Sequence, residues 1–290
     1  MQDFKFIKDL SWNKWIVLDP RRSKRPNQSK QVLKTCPFCI GNEEAEKEMY
    51  RIGGNPGDSN WQIRVLKNKF SFAPVHEIII HSPDHHKNID ELPQSQVELL
   101  FATYKERITK HKNKGHIYVF HNRGELAGES IPHPHSQLIA APRDVFLDIR
   151  PLIKPDGQTL TTNFFTLFCP ITSQWPDEVW IVPRRSGNSF DKIFEEEIID
   201  LSFVMQRLLQ IMNIRYKEDF PYNFYIAPGK KWYLRFIPRR KIIGGFEVGT
   251  GVWVNTQDPK ETFTFLKNHF ENPDKNVILR EHTAEYRRGV

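Results

Sequence analysis

Ile131-Pro132-His133-Pro134-His135-Ser136-Gln137-Leu138-Ile139-Ala140 follows the glycine-interrupted run Asn122-Arg123-Gly124-Glu125-Leu126-Ala127-Gly128-Glu129-Ser130, and the rest of the chain can be ordered around it. Read as a strand, its period of two puts His133, His135 and Gln137 on one face, with successive Cα atoms about 6.6 Å apart. Pro134 has no N–H to give to a ladder, which suits an edge strand or the start of one. Two imidazoles and a carboxamide turned toward one spot, behind glycines that allow close approach of backbone amides, suit phosphate chemistry. A bare His-x-His reads equally well as a surface pair on an amphipathic strand. The glycines, Gln137 and a cysteine pair upstream move the reading toward a site.

Working back from this stretch, Ile117 to Phe120 reads as a strand. Pro93 to His111 reads as a helix whose Val97, Leu100, Phe101, Tyr104 and Ile108 share one stripe. His76 to His81 is a strand closed by Ser82-Pro83-Asp84-His85-His86, a turn that displays two histidines. Trp61 to Lys67 is another strand, followed by a turn at Asn68-Lys69-Phe70. Near the start, the strand Trp12 to Leu18 ends at Asp19-Pro20. The basic loop Arg21-Arg22-Ser23-Lys24-Arg25-Pro26 comes next, where Arg22 and Arg25 could clamp a phosphate.

Cys36-Pro37-Phe38-Cys39 has the spacing of a zinc half-site. A second Cys-x-x-Cys is missing, so the remaining ligands must be histidines or carboxylates from elsewhere. A redox disulfide is disfavoured, because Ile40-Gly41-Asn42 follows the motif where a thioredoxin-type context needs a helix.

The second half repeats the order of the first. Glu178 to Pro183 is a strand, Phe194 to Ile214 a helix with Ile198, Leu201, Met205, Leu208 and Met212 on its stripe, and Asn223 to Ile226 and Tyr233 to Ile237 are strands. Aligned on alternation, Lys231, Tyr233 and Arg235 stand where His133, His135 and Gln137 stand. His269 and His282 are the only histidines beyond His135, so chemistry that needs imidazole belongs to the first half. The glycine-dense Lys241 to Gly251 reads either as a ligand loop or as a bulged hairpin. Asp258-Pro259 opens a helix to about Phe270. The fold class expected is α+β: two fused repeats, residues 1–150 and 151–290, each a mostly antiparallel sheet with a packed helix.

Of the 290 residues 39% are apolar and 27% charged, the balance of a globular chain and not of a disordered one. No apolar run is long enough for a membrane-spanning helix. Met1 to Lys5 shows neither a basic nor an apolar signal region, so a cytoplasmic location is expected. Three cysteines cannot build a secreted disulfide framework, and Cys169 reads as an inert core thiol. The net charge of +7 admits nucleic acid as a partner. Only Lys230-Lys231-Trp232-Tyr233-Leu234-Arg235 interleaves aromatics with cations, however, and the degenerate repeat explains it as well.

Six segments, taken in order, resemble the galactose-1-phosphate uridylyltransferase family, the two-repeat branch of the histidine-triad superfamily. They are Asp19 to Pro26, Cys36 to Asn42, Asn68 to Phe70, Ser82 to His85, Gly128 to Gln137 and Gly245 to Glu247. The resemblance implies that His135 is a nucleophile toward the α-phosphorus of a nucleoside diphosphate sugar, with Gln137 holding phosphoryl oxygens. Ser130 and the Gly124 to Gly128 backbone would lie near the diphosphate, Arg22 and Arg25 would reach phosphate, and Asn68 would lie near the nucleoside. Asn122 would lie near the phosphates or sugar, and Lys241 and Glu247 would approach the hexose, across a homodimer interface. Cys36, Cys39, His85 and His133 match a structural zinc site, with His86 the alternative to His85.

The reaction implied is transfer of UMP between UDP-glucose and galactose 1-phosphate. Phosphorolysis of an ADP-sugar or dinucleotide is the alternative within the same fold, and a zinc-containing nucleic-acid binder the remote one. Three departures from the pattern stand out. Glu129 places a carboxylate before Ser130, and the Gly-Thr-Gly after Val248 resembles the ADP-sugar phosphorylases. The second-half histidines that hold a further metal in some members are absent, so no second metal is expected.

Overall fold

The computed structural model describes residues 4–12, 14–24, 36–217 and 219–271. Arg25, one of the two expected phosphate-reaching arginines, lies outside them. The chain opens with a hairpin, β1 (Lys5–Asp9) and β2 (Lys14–Leu18), which among the described residues pair only with each other. The strands β3 (Glu48–Ile52), β4 (Ile63–Lys67) and β5 (Val75–Ile80) precede the helix α1 (Gln94–His111). Then come β6 (His116–Arg123), β7 (His135–Ala141), β8 (Leu160–Thr161), β9 (Phe165–Phe168) and β10 (Val179–Pro183). The helix α2 (Glu195–Tyr216), strands β11 (Tyr222–Ile226) and β12 (Leu234–Pro238), and the helices α3 (Gly245–Thr250) and α4 (Pro259–Glu271) complete it.

Ten of the strands form one antiparallel sheet in the order β3-β4-β5-β7-β6-β11-β12-β10-β9-β8. Read inward from either flank, strand, strand, helix, strand, strand produces β4-β5-β7-β6 on one side and β9-β10-β12-β11 on the other. The two sets meet where β6 pairs with β11. Mixed α+β with a large antiparallel sheet is therefore the architecture, as the sequence reading expects.

Alternation decides which face holds the core. Ile79, Val119, Leu138, Ala140, Val179, Ile181, Phe224, Leu234 and Phe236 point to the helices and are buried against the stripes of α1 and α2. An ionic lock reinforces this layer. Arg107 of α1 donates to Glu77 of β5 through Nε (2.9 Å) and Nη2 (2.5 Å), and His111 Nε2 is 2.9 Å from the same carboxylate. α2 is tied to the loop before α1 by Gln206, which donates to the carbonyls of Ile89 (3.0 Å) and Leu92 (2.7 Å).

Three local expectations are refined. β7 is hydrogen-bonded on both sides and so is no edge strand. Pro134 stands just before it, with its carbonyl accepting the His81 N–H at 3.1 Å. His133 therefore lies ahead of the ladder, free to face away from His135. The segment Lys241 to Gly251 is neither open loop nor hairpin: it forms α3, with the Gly244 N–H donating to Glu247 Oε2 at 3.1 Å.

In the second half the face that matches His135 is filled. Arg235 is clamped on Glu178 (2.8 Å from both Nε and Nη2), and Trp180 and Tyr233 stack at 4.2 Å. Ile149, Leu152 and Ile153, from the connection between the halves, close over them. Filled in this way and without imidazoles, this counterpart does not repeat the His135 arrangement.

Candidate active site

The face of the sheet away from the helices carries the site. On β7, His135 and Gln137 project from it as the period of two requires, 5% and 6% exposed. The His135 Nδ1–H donates to the His133 carbonyl at 2.9 Å. This fixes the tautomer, with the proton on Nδ1 and the lone pair on Nε2. The Phe38 ring stands edge-on to the His135 ring at 5.3 Å, walling one side.

Gln137 is held from β5. Phe72 N–H donates to His76 Nδ1 (3.4 Å), which places the His76 proton on Nε2, 2.9 Å from Gln137 Oε1. With its oxygen engaged there, Gln137 keeps its amide N–H groups for a ligand. Asn68 Nδ2 also lies 3.0 Å from His76 Nε2, while its Oδ1 accepts the Phe70 N–H at 2.8 Å. Sequence reasoning did not single out His76. The available signal was its place on the His135 side of an alternating strand, level with Ile139.

A cavity of about 150 Å³ opens beside His135. Pro37, Phe38, Leu66, Ile78 and Ile131 supply apolar walls, and Asn68 and Ser130 polar ones, a mixture that suits a nucleoside. Arg22 closes in from the 3₁₀ turn Pro20–Lys24, donating to the Phe70 carbonyl at 2.7 Å with its guanidinium 4.7 Å from the Phe72 ring centre. Burial lowers its pKa below the usual arginine range.

The glycine-interrupted loop is folded on itself. Gly124 adopts φ 81° and packs on Pro221, where a Cβ would stand 2.9 Å from the proline Cβ. Its N–H donates to Glu129 Oε2 at 2.8 Å, and the Gly128 N–H to the Glu125 carbonyl at 2.9 Å. These two amides are already taken, so the loop contributes shape. Glu129 turns away from the expected phosphate position, into the loop and toward Arg123 Nη1 (3.1 Å). Burial raises its pKa, against the pull of Arg123.

Beneath β7, on the helix side, lies a second polar layer that no sequence pattern marked. Ser136 Oγ is 2.6 Å from Tyr104 Oη and 2.8 Å from His81 Nε2, and the His121 Nδ1–H donates to the His135 carbonyl at 2.9 Å. Burial, with the His135 charge behind it, pushes His121 down to about 3. Burial, with His121 second, depresses His81 too. Both rings are neutral props for the strand.

Cys36, Cys39, His85 and His133 bring four ligand atoms within 4.8 Å of one another. Cys39 Sγ lies 3.1 Å from His85 Nδ1 and 3.6 Å from His133 Nδ1, and Cys36 Sγ lies 3.8 Å from His133 Nδ1. Ligand atoms of a tetrahedral ion with bonds of about 2.0–2.3 Å stand roughly 3.3–3.8 Å apart, close to these three separations. The donor set fits for a further reason. His133 Nε2–H donates to the Ser82 carbonyl at 2.9 Å, which turns the Nδ1 lone pair toward the cysteines. His86, the alternative to His85, is exposed and outside this cluster. These residues can hold a metal ion.

Asn122 stands on β6, beside His135 on the side away from the cavity, while Lys241 and Glu247 lie after the end of β12. Asn122 accepts from Asn223 Nδ2 at 2.8 Å across the junction of the halves. Lys241 pairs with Glu247 at 2.5 Å and also meets the Val254 carbonyl.

Residues 68–143, which contain β5 to β7 and the histidine motif, match the model of the galactose-1-phosphate uridyl transferase N-terminal domain. An ADP-glucose phosphorylase from Arabidopsis thaliana is 26% identical over 90% of this chain and 91% of its own length. A galactose-1-phosphate uridylyltransferase from Thermotoga maritima is 23% identical over 88% of this chain and 95% of its own. The crystal structure of the Arabidopsis ADP-glucose phosphorylase with bound ADP-glucose superposes with a TM-score of 0.69 at 24% identity. It covers 91% of this chain and 98% of that one. A uridylyltransferase structure gives 0.74 at 19% identity, covering 92% and 98%. Two structures at such identities show a shared fold. Over most of its length the chain is similar to galactose-1-phosphate uridylyltransferases and to an ADP-glucose phosphorylase, and its histidine motif lies in the matched domain.

Proposed function

We propose that this chain transfers a nucleotide from a nucleoside diphosphate sugar to a phosphate acceptor by double displacement through His135. The observation that carries the reading is the His135 Nδ1–His133 carbonyl bond of 2.9 Å, which puts the ring proton on Nδ1 and the lone pair on Nε2, beside a cavity with apolar and polar walls. In the first step Nε2 attacks the α-phosphorus and the bond to the bridging oxygen breaks. Sugar 1-phosphate leaves, and the nucleotide remains on a ring whose positive charge faces the His133 carbonyl. In the second step an acceptor phosphate oxygen attacks, the P–N bond breaks and neutral His135 returns. Gln137, oriented by His76, and Ser130 donate to the phosphoryl oxygens as charge builds on them. Arg22 and Asn68 frame the nucleoside side.

Zinc is the ion that the two-cysteine, two-histidine set suits. With four protein ligands it has no open position, so it would hold the knuckle of residues 36–42 against β7 and do no chemistry.

Two forms of the reaction are supported. UMP exchange between UDP-glucose and galactose 1-phosphate follows from the matched domain and the Thermotoga relative. The Arabidopsis relative, at 26% identity, supports phosphorolysis of ADP-glucose. Residues 1–150 would be the catalytic repeat and 151–290 the degenerate one. The exposed apolar side chains of Ile242, Phe246, Val248, Val252 and Val254 beside Lys241 and Glu247 support a homodimer that covers them. A fully active monomer in sedimentation would refute that arrangement.

The test is initial-rate kinetics with ADP-glucose and UDP-glucose as donors and inorganic phosphate, glucose 1-phosphate and galactose 1-phosphate as acceptors. Parallel double-reciprocal plots are expected for one donor–acceptor pair. His135→Ala should abolish turnover without loss of metal, and Gln137→Ala should slow both half-reactions by roughly 10². Intersecting plots, or turnover by the His135 variant, would overturn the reading.

A further inference from the structure

Arg239 follows directly on β12 and swings back over the sheet. Its guanidinium lies 4.4 Å from the Trp175 ring centre, and its Nη1 donates to Asn223 Oδ1 at 2.8 Å. Among the described residues it meets no carboxylate, and its Nε is buried without a hydrogen-bond partner. The neighbouring cations are treated differently: Arg235 is clamped on Glu178 at 2.8 Å, Arg215 pairs with Asp177 at 2.9 Å and Lys241 with Glu247 at 2.5 Å. A half-buried guanidinium with an open donor and no counter-charge is costly to keep unless an anion comes to it. Burial lowers its pKa below the usual arginine range, as expected for such a cation.

Strand register shows where that anion would be. Phe120 pairs with Gln137 and His121 with Ser136, so the next position of β6, Asn122, comes level with His135. Asn122 pairs with Asn223, and Asn223 with Ile237, two residues before Arg239. His135, Asn122 and Asn223 thus form one row across three adjacent strands of the same face, ending under the Arg239 guanidinium. At about 4.8 Å per strand, Asn223 is roughly 10 Å from His135. The cavity lies on the opposite side of His135, toward β4 and β5. A nucleoside diphosphate sugar with its α-phosphorus at His135 and its base in that cavity extends its second phosphate along this row.

We propose that Arg239, with Asn122 and Asn223 beside it, binds the phosphate that leaves with the sugar and the acceptor phosphate that replaces it. The inference rests on the double displacement through His135. Arg239 is a binding residue here and takes no part in the covalent steps. A purely structural arginine, one that only braces Asn223 and Trp175, is the competing account.

Arg239→Gln and Arg239→Lys separate them when each half-reaction is followed by intact mass. A nucleoside 5′-phosphorimidazolide, whose leaving group is neutral imidazole, should load the wild type and both variants at equal rates. Loading from ADP-glucose or UDP-glucose should need more donor in Arg239→Gln. Discharge by glucose 1-phosphate or inorganic phosphate should need roughly tenfold to a hundredfold more acceptor, as expected for a lost charge-assisted contact. Arg239→Lys should recover part of both. Unchanged acceptor dependence in Arg239→Gln overturns the proposal. So does slowed loading from the imidazolide, which marks a structural role. If the wild type accepts a nucleotide from none of these donors, the double displacement itself fails and this inference falls with it.

Discussion

At the scale of single residues, the site depends on which nitrogen carries which proton. His135 was legible in the sequence because a strand's period sets it beside Gln137, and because glycines and cysteines nearby marked the stretch as more than a surface strand. His76 was not legible, because one histidine in Val75-His76-Glu77-Ile78 is indistinguishable from a satisfied core residue until the ladder sets it beside Gln137. Its position makes it an orienting residue. His76→Leu should lower turnover by roughly tenfold to a hundredfold with little change in metal content, because Gln137 then rotates freely. His76→Gln, which can still donate to Gln137 Oε1, should recover much of the loss. Equal kcat values for wild type and His76→Leu would refute this role. Glu129 shows the converse, a residue whose chemistry was legible and whose direction was not. The sequence could not show that the Gly124 amide and Arg123 would draw the carboxylate inward.

At the scale of elements, hydrophobic period located the long helices and central strands to within a few residues. α1 and α2 bury the stripes read from sequence. The short strands β3, β8 and β9 and the short helix α3 escaped it, since two to six residues carry too little pattern. The cysteine knuckle was legible as half a metal site; the other half needed the fold to bring residue 85 and residue 133 to it. Cys36→Ser should lower zinc content and thermal stability together, and normal zinc in that variant would show that the ligand set is wrong. The lock between β5 and α1 offers a separate test. Burial raises the Glu77 pKa, but the His111 and Arg107 hydrogen bonds outweigh it and the net shift is downward. Arg107→Leu strands a buried carboxylate and should cost about 3–5 kcal/mol in urea unfolding. A cost below about 1 kcal/mol would mean that the lock is incidental.

At the scale of the whole molecule, strand–helix–strand order was visible twice in the sequence, but one continuous sheet was not. That continuity comes from the β6–β11 pairing, which no local pattern encodes, and it places Asn223 beside Asn122. The junction also buries His121, 4.9 Å from Phe224 and 5.0 Å from His81 in ring stacking. With its folded pKa lowered to about 3, His121 binds a proton in the unfolded chain before it does in the folded one. Its stabilising share is therefore complete above about pH 6.5 and is lost as pH falls toward the folded value. Over pH 6.5 to 5, His121→Phe should flatten the dependence of unfolding free energy on pH by up to ~1.4 kcal/mol per unit, one proton's worth. Parallel curves for variant and wild type would contradict the buried neutral assignment.

The whole arrangement, from the fixed His135 tautomer to the row that ends at Arg239, stands on one covalent event. Wild-type protein incubated with ADP-glucose or UDP-glucose and no acceptor, then digested and mapped by mass, tests it directly. The predicted result is a single nucleoside monophosphate on His135, removed by added acceptor phosphate and absent from His135→Ala. No adduct with any nucleotide sugar, or an adduct on another residue, would contradict the account.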